Sequence, residues 1–318
     1  MSRFLPALVA MSILACSAEP GGTLPDLPPG VEAISLMGDS LRPVPPSAGV
    51  DSALRQDLEE ARRAYENASD DADSIVWMGR RLAYLGRYRE AIGVFSEGIE
   101  KHPDDPRMYR HRGHRYITLR MLDAAEFDLA HAASLIAGQP DEIEPDGQPN
   151  EFNIPRSTLQ SNIWYHLGLA RVLKGNREGA RDAYVSGMSV SANDDMLVAT
   201  AYWYYMTLAH LGADAEAQAV LSSITPEMDV MENGSYQRLL LLFKGELDPQ
   251  SVLDVSSEEN APLANATVGY GVGQWHALNG RMEEAMQTWS RTVAGEQWAA
   301  FGYIAAEAEL ARLEGATS

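Results

Sequence analysis

The chain has 318 residues, 45% hydrophobic and 8% aromatic, which is apolar material enough for a folded body and excludes a disordered one. Its 45 acidic residues outnumber 25 basic ones, for a formal charge of −20. That balance argues against a nucleic-acid partner, because neutralising a phosphate backbone takes a broad cationic face.

The chain opens with "MSRFLPALVAMSILACSAEPGG", a basic start at Arg3 followed by an apolar run from Phe4 to Leu14. The run matches a signal-peptide core and is too short to span a bilayer. Cys16 is the sole cysteine, so no intramolecular disulfide forms. The sequence Ile13-Leu14-Ala15-Cys16 resembles a bacterial lipobox, with Leu14 bulkier than is usual at its place. The resemblance implies that residues 1–15 are a signal peptide and that Cys16 becomes the acylated first residue. Several acyl chains exceed the two signals that stable anchoring needs. Ser17 after the cysteine implies the outer membrane, with the protein facing the periplasm. An ordinary secretory signal or a buried amino-terminal strand is the alternative reading. No later stretch has the apolar length for a transmembrane helix. Residues 16–50, rich in proline and glycine, read as an extended tether, with Val31 to Met37 alternatively a loop packed on the body.

From Asp51 the segment "DSALRQDLEEARRAYENA" places Leu54, Leu58, Ala61 and Tyr65 at helical spacing behind an acidic cap. Self-similarity follows. Gly79, Gly113 and Gly168 sit mid-way along a first helix; Ala91, Ala125 and Ala180 come twelve residues later, and Phe95, Leu129 and Tyr184 four after those. Two antiparallel helices need small residues where they approach and large ones beside them. This pattern resembles the tetratricopeptide repeat, a 34-residue helix–turn–helix unit. Copies lie near 72–105, 106–137 and 161–194, with looser ones near 198–231 and 266–299. "SYQRLLLLFKG" reads as a degenerate copy. The resemblance implies an all-α solenoid of five to six repeats over residues 51–314, closed by a C-terminal capping helix on the last apolar face. Residues 138–157, carrying Asp141, Glu142, Glu144, Asp146 and Glu151 among prolines, are an insertion that the repeat does not need.

In such a solenoid the first helix of each repeat lines a concave, ligand-binding surface. Helical spacing places Asp73, Val76, Arg80 and Tyr84 on it from the first copy, and Arg107, Arg110 and His114 from the second. Asn162, Tyr165 and Leu169 follow from the third, then Tyr202, Met206 and His210 from the fourth. The segment "RMYRHRGHRYITLR" holds five arginines, and its groove members suit a carboxylate-bearing peptide. Arg112, Arg115 and Arg120 are assigned instead to acids such as Asp123, Glu126 or Asp128. The acidic insertion competes for the basic stripe, as a brace folded across it or as a solvated loop. Among the aromatic run at 202–205, Tyr202 is the expected exposed member.

His111 and His114 lack a third ligand nearby and no H-E-x-x-H is present, so no metal is expected. "GYGVGQ" at 269–274 sits on a repeat helix and is not a nucleotide loop. No G-x-S-x-G elbow and no cofactor motif occurs. The expected role is a non-catalytic, lipid-anchored scaffold for envelope proteins, gripping an extended acidic segment. The alternatives are a lipoprotein binding a glycan or small ligand through groove aromatics, and an enzyme without a recognisable motif.

Overall fold

The computed structural model describes residues 22–254 and 261–317. The signal-like segment, the lipobox and Cys16 lie outside the described residues. Among those described, a short antiparallel hairpin, β1 (Ala33–Ile34) and β2 (Ser40–Leu41), precedes fourteen helices. They are α1 (Ala48–Asn67), α2 (Ala72–Tyr84), α3 (Tyr88–Lys101), α4 (Pro106–Thr118), α5 (Leu122–Leu135), α6 (Leu159–Lys174) and α7 (Arg177–Val190). The second half comprises α8 (Asp194–Leu211), α9 (Asp214–Ser222), α10 (Gly234–Lys244), α11 (Pro249–Leu253), α12 (Ala261–Leu278), α13 (Met282–Val293) and α14 (Phe301–Thr317). The architecture is an all-α solenoid of the tetratricopeptide type.

Local chemistry sets where the helices start and stop. Asp71, Asp105 and Asn193 accept backbone N–H groups in the first turns of α2, α4 and α8. Thr158 and Ser161 form a reciprocal capping box at α6. Gly175 and Gly212 end α6 and α8 in the left-handed region, at φ 81° and 68°. The corresponding turn between α4 and α5 is made by Arg120, at φ 62°. A non-glycine residue there costs on the order of 1 kcal/mol and persists only where other contacts hold it.

The helix pairs α2/α3, α4/α5, α6/α7 and α12/α13 each pack as the sequence spacing requires. A Cβ built on Gly79 would stand 2.4 Å from the Phe95 ring, and on Gly168 2.3 Å from Tyr184. Gly113 meets Leu129 and Gly273 meets Trp289 in the same way, at 2.7 Å and 2.2 Å. Ala91, Ala125, Ala180 and Ala285 are fully buried beside them. Only glycine and alanine admit helices this close with aromatic rings filling the flanks.

Both termini are tied into the body. Helix α14 does cover α12 and α13 as a cap, but its first turn also reaches α6. Arg120 on the α4–α5 turn forms a buried ion pair with Glu307 of α14, at 2.5 Å. Residues 22–47 are not an extended tether. Val31, Ala33 and Leu41 are buried, the Trp298 indole donates to the Arg42 carbonyl at 2.5 Å, and the Leu36 N–H donates to Glu307. The Glu32 carboxylate accepts the Arg89 N–H at the start of α3. Apolar residues at alternate positions of the hairpin explain the docking, because one face finds a core to cover.

Candidate functional site

The stripe expected to be open is roofed by the insertion. The ends of the insertion pair with each other: Glu144 donates its N–H to the Ser157 carbonyl, and Leu159 to that of Glu142, at 3.0 Å and 2.9 Å. The segment between them crosses α2 and α4. Arg80 donates to the Pro145 carbonyl at 2.8 Å and to the Tyr84 hydroxyl at 3.2 Å, with its guanidinium 4.4 Å from the Trp77 ring centre. Arg81 donates to the Gly147 carbonyl at 2.7 Å and pairs with Asp57. Arg110 pairs with Glu144 at 3.0 Å, their side chains 8% and 10% exposed. Gly147 lies against the Tyr84 hydroxyl so closely that a Cβ there would stand 1.8 Å from it.

The other arginines divide differently from expectation. Arg107 is engaged on the rim by Asp105 and Asp73, whose hydrogen bonds and charge raise its pKa against the cost of burial. Arg112 forms the expected bidentate pair with Asp128, at 2.7 Å and 2.8 Å. Arg120 takes Glu307 rather than a neighbour on α5, and Glu126 is held instead by Arg171 and Lys174. The Arg115 guanidinium stands 5.6 Å from the Tyr88 ring centre; among the described residues no carboxylate lies within ion-pair distance. Burial, with Arg110 and Arg80 nearby, brings its pKa down to about 10.

Two of the three groove residues of the fourth copy are withdrawn from solvent. Tyr202 is fully buried, stacked on Tyr236 at 4.8 Å, which corrects its expected exposure. Met206 is buried as well, whereas His210 stays exposed and bonds Gln274 at 2.9 Å. The reason is α10, whose Tyr236 and Phe243 pack over α8. A continuous groove from Arg80 to His210 therefore does not exist.

What remains on the concave side is a cleft of about 820 Å³ bounded by the insertion, α6, α8, the start of α10 and the start of α14. One wall is aromatic. Tyr165 bonds the Tyr236 hydroxyl at 2.8 Å and accepts the Trp203 indole N–H at 2.9 Å. Phe301 stands 5.1 Å from the His114 ring and 5.4 Å from His166. The other wall is polar, with Arg156, Ser157, Asn162, Thr200 and Asn233. Asn162 donates to the Ser157 hydroxyl, which ties α6 to the end of the insertion. Asp195, buried under this wall, accepts Arg156 at 2.8 Å and the backbone N–H groups of Met231, Glu232 and Asn233. It fixes the loop that presents α10.

Burial, then Arg115, holds His114 well below the usual imidazole range. Burial and Arg110 do the same for His166, whose Nδ1 donates to the Asn162 carbonyl at 2.6 Å. Both rings are neutral at pH 7. Among the described residues no three His, Cys, Asp or Glu are grouped to hold a metal ion, and no helix is long and apolar enough to cross a membrane.

Of the sequence-derived residues, Arg110, His114, Asn162 and Tyr165 line the cleft, while Arg80 and Tyr84 sit beneath the insertion. Sequence reasoning missed Phe301, Tyr236 and Arg156. The only signal for Arg156 was its place between the insertion and the Thr158 cap; the contacts of Tyr236 and Phe301, across 71 to 187 positions, have no local signature.

No family model and no curated protein matches the chain. Several solved structures resemble it at low identity. YrrB, described as a TPR protein with an unusual peptide-binding site, is 15% identical with a TM-score of 0.41, over 74% of this chain and 92% of that one. TTC0263, a thermophilic TPR protein of Thermus thermophilus, is 15% identical with a TM-score of 0.39, over 76% and 100%. The Naa15/Naa10 assembly bound to HypK-THB gives 16% identity and a TM-score of 0.35, over 77% and 35%.

Proposed function

We propose that this protein is a non-catalytic interaction scaffold that receives a short segment of a partner protein in the cleft between α6, α8, α10 and α14. The observation that carries this is the cleft itself. It joins an aromatic wall, Tyr165, Tyr236 and Phe301, to a polar wall on the side of the solenoid where first helices converge. Its volume falls in the range of sites that enclose a few side chains. Three of its titratable members have structural partners: Arg156 holds Asp195, His166 donates to the Asn162 carbonyl, and Glu232 accepts from Asn150. Binding rather than chemistry is their use.

The expected acidic, extended ligand is narrowed by the same geometry. Arg80, Arg81 and Arg110 already hold acidic and carbonyl groups of the insertion, so an acidic partner segment reaches them only by displacing it. A glycan or other small polar ligand is the second reading. It is favoured by one observation, that aromatic rings and polar side chains stand side by side in the cleft.

The lipobox resemblance supports an acylated Cys16 and placement in a bacterial envelope, on the periplasmic side of the outer membrane. Gly22 already lies against Met121 and Ala124 of the body. The six Cα–Cα steps from Cys16 to Gly22 reach at most about 20 Å. An anchored protein would thus keep its α5 side close to the membrane.

Two measurements test these readings. A photo-crosslinking residue at Ser235, on the cleft rim, should couple a protein from envelope extract, and Ala199→Trp, which fills the cleft, should abolish that product. A product that survives Ala199→Trp places the contact elsewhere; tritiated glycan retained without any protein product moves the second reading forward. Mass spectrometry of the mature protein should find a diacylglyceryl-modified Cys16, and an unmodified terminus removes the anchor.

A further inference from the structure

Between α2, α4 and the insertion is a cavity of about 110 Å³, distinct from the cleft and meeting it only at Arg110 and His114. Its walls include Arg80, Tyr84, Arg110, Arg115 and Glu144. Three guanidinium groups therefore face two carboxylates, Glu144 in the wall and Asp146 beside Arg80, which leaves one positive charge in excess. Glu144 pairs with Arg110 through Oε1, and its Oε2 has no hydrogen-bond partner. The Pro145 carbonyl and the Tyr84 hydroxyl that receive Arg80 are neutral. Among the described residues Arg115 has no carboxylate within ion-pair distance. The Arg110 side chain is more than nine-tenths buried and its Nε has no hydrogen-bond partner, as is also true of His114 Nδ1. Burial holds His111 and His114 neutral, so neither adds to nor offsets the charge. Buried positive charge in excess of its counter-charge is costly unless an anion joins it.

The geometry points to a binding site for a small tetrahedral oxyanion, of the inorganic phosphate or sulfate class, held by Arg80, Arg110 and Arg115. The volume accommodates about three to four water-sized groups, the bulk of a four-oxygen anion and too little for a longer organic acid. Guanidinium groups match such an anion because each presents paired N–H donors in a plane. Arg110 Nε is a free donor, and His114 supplies a second in its Nδ1–H tautomer. The bound anion would tie α2, α4 and the insertion together, a role independent of whatever occupies the cleft.

The test uses the full chain at pH 7.5, with inorganic phosphate compared to chloride at matched ionic strength. Phosphate should raise the melting temperature by about 2–4 °C when present well above its dissociation constant. Arg115→Gln should melt alike in the two salts. No phosphate shift in the wild type overturns the site, and so does a full shift retained in Arg115→Gln. Titration calorimetry on Glu144→Gln decides the matter should the arginine variant not fold. Removing the opposed carboxylate should tighten phosphate binding by roughly tenfold, whereas unchanged or weaker binding overturns the proposal.

Discussion

The Arg110 guanidinium and the Glu144 carboxylate meet 3.0 Å apart, both about nine-tenths buried, on a helix and a loop separated by the whole of α5. Through this contact the insertion after α5 becomes part of the concave wall rather than an appendage. It follows that the basic stripe of α4 is lined by groups from the same chain.

Glu144→Ala should destabilise the fold by about 3 kcal/mol, because it leaves Arg110 buried without its charge partner. Urea unfolding reads this as a lower midpoint at unchanged slope. A loss below about 1 kcal/mol would mean the pair behaves like an exposed one. Deleting residues 139–153 exposes Arg80, Arg81 and Arg110 to water instead. A fluorescein-labelled acidic peptide should then bind more tightly than to the wild type, in a salt-dependent way. Equal affinity for the two proteins would dismiss the insertion as a competitor.

Breaking the latch between the ends of the solenoid should be as costly. Arg120 and Glu307 are 3% and 1% exposed, so Glu307→Gln should cost about 3 kcal/mol and Arg120→Met, Glu307→Leu together much less. Limited proteolysis supplies a structural readout. In Glu307→Gln the 22–47 segment, whose Leu36 N–H also uses Glu307, should be cut first. Unchanged cleavage would show that the hairpin docks without the latch.

Two glycines of one repeat should respond in opposite directions. Gly79→Ala drives a methyl into the Phe95 ring and should lose about 1–3 kcal/mol despite alanine's better helix propensity. Gly93→Ala, exposed on α3 with nothing within 4 Å, should gain about 0.5–1 kcal/mol. Thermal melts of the two variants side by side check the sign of each.

Stability should fall as pH drops below the unfolded imidazole value of about 6.5. The folded-state pKa values of His111, His114 and His166 are all depressed, by burial first and then by Arg110 and Arg115. The unfolded chain therefore binds more protons than the folded one in this window. Stability is fully present above about pH 6.5 and declines by about 1.4 kcal/mol per pH unit for each such histidine, until its folded pKa is passed. Melting of His166→Asn between pH 5 and 7.5 should show a shallower decline. An identical slope would assign the acid response to other groups.

The repeating unit was legible because its causes are local. A helix hairpin closes over fewer than 34 positions, so the glycine, alanine and aromatic places of each copy recur at fixed spacing. Arg112 likewise found Asp128 only sixteen positions away, on the partner helix of its own hairpin. The same locality misled at Tyr202. Helical phase placed it on the concave side, correctly, but what covers that side is α10, the helix of the degenerate copy.

By itself, then, the amino-acid sequence determined the helices, their caps, the hairpin packing and the acidic character of the insertion, since each depends on neighbours within a few turns. Tertiary structure alone decided which concave residues meet solvent. Arg120 reaching Glu307, Phe301 reaching His114, and the insertion reaching Arg80 and Arg110 are long-range closures. Their energy comes from burying charge with its partner and covering apolar faces. Neither condition leaves a periodic mark in the chain, because each is met only after the solenoid has curved far enough to bring its ends together.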